Sequence, residues 1–199
     1  ADASAEGRVP RRGILRVFFG YAAGVGKTYG MLEAAQAARG RGVDVVVGYL
    51  EPHTRADTMA LATGLETVPT KKVRHRSLTL QELDVDAILA RRPQVVLVDE
   101  LAHTNAPGSR HKKRYQDVEE LLRAGINVYT TVNVQHLESL NDKVAAITRV
   151  RVHERIPDFV FDQADEVELV DIEPDDLIER LRAGKIYTPE RAGTALNHF

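Results

Sequence analysis

The sequence predicts an α/β fold in three layers: a mostly parallel central sheet with helices on both of its faces. Three observations carry this. Short apolar runs alternate with amphipathic stretches along most of the chain, and a strand–helix–strand rhythm builds right-handed βαβ units around a parallel sheet. A glycine-rich turn, Gly24-Val25-Gly26-Lys27-Thr28, stands at the first strand-to-helix junction. A later apolar strand, Val95-Val96-Leu97-Val98, runs directly into Asp99-Glu100.

The elements follow in order. Ile14 to Phe19 is short, β-branched and aromatic and is stopped by Gly20, as a buried strand is. From Thr28, helical spacing puts Met31, Leu32, Ala35 and Ala38 on one face, and Gly40 and Gly42 end the helix. Val43 to Leu50 reads as a second strand, Thr54 to Thr63 as a short helix and Val73 to Arg76 as a further short strand. Leu80 to Arg91 reads as a helix that stops ahead of Pro93, because the residue before proline leaves the helical region. Gln94 to Val98 is the most continuous apolar run and the natural central strand of a parallel sheet. Tyr115 to Ala124 reads as a helix closed by Gly125, Ile126 to Val132 as a strand and Gln135 to Ile147 as a helix. Past Pro157 come a strand, Glu166 to Asp171, and a helix, Asp175 to Ala183, between Pro174 and Gly184. A last amphipathic piece starts near Pro189 with Thr188 as its N-cap.

Composition bounds what such a fold can do. With 199 residues there is room for one substantial core. A hydrophobic content of 43% and a charged content of 28% are those of a soluble globular protein. The formal net charge of -2 provides no global basic field to draw in nucleic acid or an anionic membrane. Cysteine is absent, which excludes disulfides, thiolate catalysis and Cys-ligated zinc and suits a reducing cytoplasm. No stretch approaches the ~20 apolar residues that span a bilayer. Ala1 to Arg12 is polar, reads as a flexible tail and is not a signal peptide.

The glycine-rich turn has the composition of a phosphate-binding P-loop. Small residues let backbone N–H groups curl around phosphate oxygens, and the helix that starts there adds its positive end. Lys27 is placed to put its ammonium beside the outer phosphates, and Thr28 to offer its hydroxyl to Mg²⁺. The strict spacing requires a glycine at position 21, where the chain has Tyr21; Gly20 comes one residue early. The Gly-x-Gly-Lys-Thr heart is intact. Expected nucleotide-binding residues are therefore Gly24, Val25, Gly26, Lys27, Thr28 and Asp99, with Thr28 and Asp99 on the metal. In a P-loop fold the first acid after such a strand holds Mg²⁺, usually through water, and a following glutamate polarises an attacking water. Glu100 is the expected catalytic base; the alternative is a simply solvated carboxylate.

Several other residues have weaker claims. His103, Thr104 and Asn105 follow the acidic pair and are candidates to line the outer-phosphate pocket. Asp99 to His103 lacks the paired histidines of a metalloprotease helix, so zinc is not expected. Gly108 to Arg114 is a basic loop, read either as a solvated surface or as the source of an arginine finger, Arg110 or Arg114. Aromatic residues are sparse near it, which argues against nucleic-acid recognition. Glu51, His53 and Arg55, and then Asn133, Gln135 and His136, follow strands at the ligand edge; Asn133 is either a γ-phosphate sensor or a helix N-cap.

Three strings in the chain are long and unusual. Phe18-Phe19-Gly20 with Gly24 to Thr28, Val98 to Asn105, and Asn133 to Asn141 closely resemble the N-terminal cytoplasmic domain of the KdpD family, bacterial sensor histidine kinases that control high-affinity potassium uptake. The similarity runs from about Gly13 to Phe199 and includes Ala164 to Asp171 and Gly184 to Tyr187. It implies a longer parent, in which a universal-stress-protein-like domain, transmembrane helices and a histidine-kinase core follow. It also implies ATP and Mg²⁺ as ligands at the P-loop, serving to regulate kinase and phosphatase output. The implied partners are other domains of the same sensor kinase and a second copy of the chain; neither nucleic acid nor direct membrane insertion is expected. The implied place is the cytoplasmic side of the cell membrane. The expected organisation is a tail over 1–12, a P-loop domain over 13–156, and a C-terminal extension over 157–199 that packs on the domain or leads to the next one. Two other functions stay open: an active ATPase or small-molecule kinase in its own right, and a docking platform with a vestigial P-loop.

Overall fold

Strands rich in β-branched residues and buried on both faces need helices on both sides. The computed structural model, which describes residues 11–20, 25–52, 54–133, 157 and 163–170, has that arrangement. In chain order its elements are β1 (Leu15–Gly20), α1 (Val25–Gly40), β2 (Val45–Tyr49), α2 (Ala56–Ala60), β3 (Glu66–Thr67), β4 (Lys71–His75), β5 (Leu78–Glu82), α3 (Val85–Arg91), β6 (Val95–Val98), α4 (Arg114–Arg123), β7 (Asn127–Asn133) and β8 (Glu166–Val170). Six strands form one sheet in the order β3-β2-β6-β7-β1-β8, and all its pairings are parallel. β4 and β5 form a separate antiparallel hairpin.

The period of two along the strands sorts the core into two layers. Leu15, Val17 and Phe19 of β1 point to one face with Val96 and Val98, where Ile88 of α3 and Val118, Leu121 and Leu122 of α4 cover them. Phe18, Val45, Val47, Val95 and Leu97 point to the other face and meet Met31, Leu32, Ala35 and Ala38 of α1. The face of α1 read from helical spacing is thus the face that is buried. The expected α/β fold, a parallel sheet between helical layers, is the one observed.

One expectation is corrected. Leu80 to Arg91 is not a continuous helix: Leu78–Glu82 is strand β5, and α3 begins only after Asp84, whose carboxylate caps it by accepting from Ala87 N at 3.1 Å. Along β5, Leu78, Leu80 and Glu82 share one side, and the residue at the buried end is a carboxylate. The apolar alternation that marks a strand is therefore masked. Residues 166–170, placed by the sequence in a C-terminal extension, form the edge strand beside β1. The helices expected over 135–147 and 175–183, and the piece from 189, lie outside the described residues.

Candidate functional site

Parallel strands deliver their carboxyl ends to one edge of the sheet, where α/β proteins place ligands. Here that edge brings together Gly20 at the end of β1, Asp99 and Glu100 after β6, Asn133 at the end of β7 and Glu51 after β2. β7 lies between β1 and β6, with Gly20 opposite Asn133 and Val98 opposite Thr130.

α1 starts at Val25, so Gly26, Lys27 and Thr28 occupy its first turn, which holds no acidic residue. The N–H groups of a first helical turn have no partner within the helix, and they carry its positive partial charge. Gly24 lies outside the described residues. Lys27 and Thr28 are both buried, at 7% exposure. A Cβ on Gly20 would stand 2.9 and 3.0 Å from Cγ and Cδ of Lys27 and 3.0 Å from the carbonyl oxygen of Val170. Gly20, one residue early for the strict P-loop spacing, is thus where the lysine stem crosses the end of β1.

Asp99 is enclosed and heavily hydrogen-bonded. Thr28 Oγ1 donates to its two carboxylate oxygens at 3.3 and 3.2 Å, Thr131 Oγ1 to Oδ1 at 2.5 Å, and the Glu51 N–H to Oδ2 at 3.1 Å. Thr28 and Asp99, 71 residues apart in sequence, are in this way brought into contact, with Lys27 the neighbour of Thr28 in the chain. Thr131 also accepts from the Glu100 N–H at 2.9 Å. That bond holds Glu100 at φ 57°, a left-handed conformation that costs a non-glycine residue about 1–3 kcal/mol. Glu100 reaches the surface, yet loss of water around its carboxyl, then a hydrogen bond with Glu51 and the charges of Glu51 and Asp99, push its pKa up to about 8 against the pull of Arg114.

The donor set suits a hard cation. Mg²⁺ takes oxygen ligands and keeps waters and substrate phosphates, needing only one or two protein groups; the Thr28 hydroxyl and the Asp99 carboxylate are such oxygens, in contact. Among the described residues no three His, Asp or Glu side chains gather into a metal cage.

For Arg114 the arginine-finger expectation is corrected by burial. Arg114 is wholly enclosed; its Nη1 donates to the main-chain oxygen of Asp99 at 3.0 Å, and its guanidinium lies 3.9 Å from the centre of the Tyr49 ring. It supports the acidic turn from behind. Arg110 is engaged at the surface with Asp86 and with Glu120. Asn105 donates to Asp117 Oδ2 at 2.8 Å and to the His111 carbonyl at 2.9 Å, and His103 hydrogen-bonds Glu82 at 3.0 Å. Burial acts to raise the Glu82 carboxyl, but His103, the Ala106 N–H and Arg114 outweigh it and hold its pKa below the ordinary range. Asn133 Oδ1 is buried with no hydrogen-bond partner among the described residues. His53, Gln135 and His136 lie outside the described residues, and Arg55 is exposed. Sequence reasoning missed Thr131 and Glu82. Thr131 had a usable signal, a hydroxyl near the end of a predicted strand at the ligand edge; Glu82 had none.

Fold and site together define a three-layer α/β domain with a parallel sheet and a polar cluster at its carboxyl edge. The chain belongs to the KdpD family: the family model described as "Osmosensitive K+ channel His kinase sensor domain" matches residues 11–199. It is 58% identical over 194 residues to the sensor protein KdpD of Clostridium acetobutylicum, covering 98% of this chain and 22% of that protein. It is 57% identical to the sensor protein KdpD of Escherichia coli, covering 96% and 21%. The chain thus spans about one-fifth of the length of these relatives. Among solved structures, the DNA-packaging ATPase B204 of Sulfolobus Turreted Icosahedral Virus has a TM-score of 0.48 at 14% identity, covering 94% of this chain and 88% of that one. The flagellar accessory protein FlaH of Methanocaldococcus jannaschii has 0.43 at 14%, covering 80% and 72%. Likeness at that level says nothing about this chain's chemistry. No helix among the described residues is long and apolar enough to cross a membrane.

Proposed function

We propose that this chain is an ATP-binding regulatory domain of a longer, potassium-responsive sensor histidine kinase, and that nucleotide binding sets the output of the kinase. The observation that carries the reading is the contact of Thr28 Oγ1, in the first turn of α1, with the carboxylate of Asp99, beside a buried Lys27. The first-turn N–H groups of α1 with Gly24, Val25 and Gly26 receive the phosphates, and the Lys27 ammonium pairs with their outer oxygens. Thr28 and Asp99 would hold Mg²⁺, which would supply positive charge to the phosphates. Thr131 and the Glu51 N–H keep Asp99 in place, so that nucleotide state changes the hydrogen bonds shared by α1 and the carboxyl ends of β2, β6 and β7. In the parent protein this domain works on the cytoplasmic side of the cell membrane, against other domains of the same polypeptide and a second copy of the chain.

Calorimetric titration with Mg-ATP, alongside Lys27→Ala, tests the reading. Saturable heat that Lys27→Ala abolishes is expected; an unmodified chain that takes up no Mg-ATP defeats it. A second reading, slow ATP hydrolysis or phosphoryl transfer in this domain itself, draws on Glu100. A base works best with a pKa near the operating pH, and the Glu100 carboxyl, at about 8, is in that range. Phosphate release followed during the titration separates the two: turnover abolished in Glu100→Gln with binding retained favours the enzyme.

A further inference from the structure

The β4–β5 hairpin stands off the main sheet. Between it, the start of α3 and the 105–110 loop lies a pocket of about 310 Å³, at the small end of ligand sites, which run from about 300 to 1,000 Å³. The acids in its wall are already engaged. Glu82 is held by His103, Ala106 and Arg114, Asp84 caps α3, Asp86 pairs with Arg110, and Asp117 accepts from Asn105. The cations that β4 contributes are not: the side chains of Lys71, Lys72 and Arg74 have no hydrogen bond or ion pair among the described residues. Asp84 and Asp117 bond only neutral N–H groups and keep their charge, so these three cations stand against two unpaired carboxylates and the wall is left positive by one. Two polar atoms of its wall, Asn105 Oδ1 and Ser109 Oγ, are shut from solvent without a partner among the described residues, and a buried polar group left unpaired is destabilising. A slight opening of the loop would let a bound hydroxyl or amine satisfy them.

The same wall is continuous with the nucleotide edge. Glu82 lies 3.5 Å from Arg114 Nη2, and Arg114 Nη1 donates to the Asp99 carbonyl. Lys71 is the cross-strand partner of Glu82, so an anion on Lys71 adds negative charge beside the carboxylate that holds Arg114.

We propose that this pocket is a second ligand site, for a small anionic molecule that also carries hydroxyl groups, such as a sugar phosphate, and that Glu82 and Arg114 couple its occupancy to the P-loop edge. The coupling rests on the nucleotide reading above; the binding does not. Ribose 5-phosphate and inorganic phosphate are the probes, titrated by calorimetry into the 199-residue chain carrying Lys27→Ala, which silences the P-loop. Ribose 5-phosphate is expected to saturate with a Kd below about 1 mM, at least about tenfold tighter than phosphate. The pair Lys72→Glu and Arg74→Glu weakens it at least about tenfold, since each removes an attractive charge. Neither side chain has a hydrogen bond or ion pair among the described residues, and a urea-unfolding midpoint within about 10% of that of Lys27→Ala alone shows that the variant is folded. Absence of saturation in Lys27→Ala, equal binding of the two probes, or indifference to the hairpin pair overturns the site. In the unmodified chain, saturating ribose 5-phosphate is expected to shift Mg-ADP affinity at least about fivefold, and Arg114→Met to remove the shift. An unchanged Mg-ADP affinity overturns the coupling. A chain that binds no nucleotide defeats the functional reading, while the Lys27→Ala titration still decides the pocket.

Discussion

Arg114→Met isolates what a fully enclosed guanidinium contributes beneath the acidic turn. Methionine retains most of the aliphatic stem, so the loss falls on the charged head. The hydrogen bond to the Asp99 carbonyl, at 3.0 Å, is from a charged donor and is worth about 1.5–3 kcal/mol. The stacking on Tyr49, 3.9 Å from the ring centre and shielded from water, adds about 1–2 kcal/mol. The pair with Glu82, at 3.5 Å, is long and adds less, but its loss leaves Glu82 buried with His103 and the Ala106 N–H as its remaining partners. Relief from burying a cation offsets part of the sum. The net expectation is a loss of about 3 kcal/mol in urea unfolding, and a fall in Tm of roughly 6–12 °C for a chain of this size. In a double-mutant cycle with Glu82→Gln the coupling is expected near 1 kcal/mol, as befits a long contact. Stability within about 0.5 kcal/mol of the parent, or ATP turnover lost with stability intact, would refute the supporting role and restore the finger.

Thr131→Val keeps the side-chain shape but removes the hydroxyl between Asp99 and the Glu100 N–H; Mg-ATP affinity by calorimetry is expected to fall about tenfold or more, and much less without Mg²⁺. Gly20→Ala presses a methyl group against Lys27 and the Val170 carbonyl; denaturant unfolding should show about 1–3 kcal/mol lost to overpacking, with weaker nucleotide binding. For Glu100 the pKa is raised in the folded chain from about 4.5 to about 8, so the stability it contributes is full below about 4.5 and is lost as pH rises through about 8. Glu100→Gln should therefore flatten the decline in urea stability between pH 5 and 8, and an unchanged slope would count against the raised carboxyl. Glu82 has the opposite sign: with its pKa held below the ordinary value, its contribution is present above that value and disappears as pH falls through the lowered one. Glu82→Gln should accordingly blunt the acid limb of the same curve.

Local chemistry made much of this domain readable before any coordinates. β6 announces itself by an unbroken apolar run, β1 and β7 by short β-branched and aromatic stretches, and α1 by Met31, Leu32, Ala35 and Ala38 at helical spacing, because burial on a sheet demands those periods. Lys27 and Thr28 stood out beside the glycines of one short string, and Asp99 as the acid that closes an apolar strand. β5 was not legible, since its one buried end is Glu82, and a carboxylate in a strand is explicable only once His103, Ala106 and Arg114 surround it. Gly20 was seen as a misplaced glycine; its reason is the stem of Lys27, seven residues on and across the turn.

What the sequence determined by itself is the class of fold, the glycine-rich strand-to-helix turn and the acidic turn, each set by residues adjacent in the chain. The tertiary structure alone decided the roles of residues whose partners are distant. Arg114 resembles a free cation in a basic run of sequence, yet it is enclosed because Asp99, Glu82 and Tyr49 converge on it from three strands or their ends. Thr131 is an ordinary strand threonine until the parallel register sets it beside Asp99. Hydrogen bonds and buried charges depend on distance in space, and the order of strands in the sheet, which places β7 between β1 and β6, is not written in any one of them.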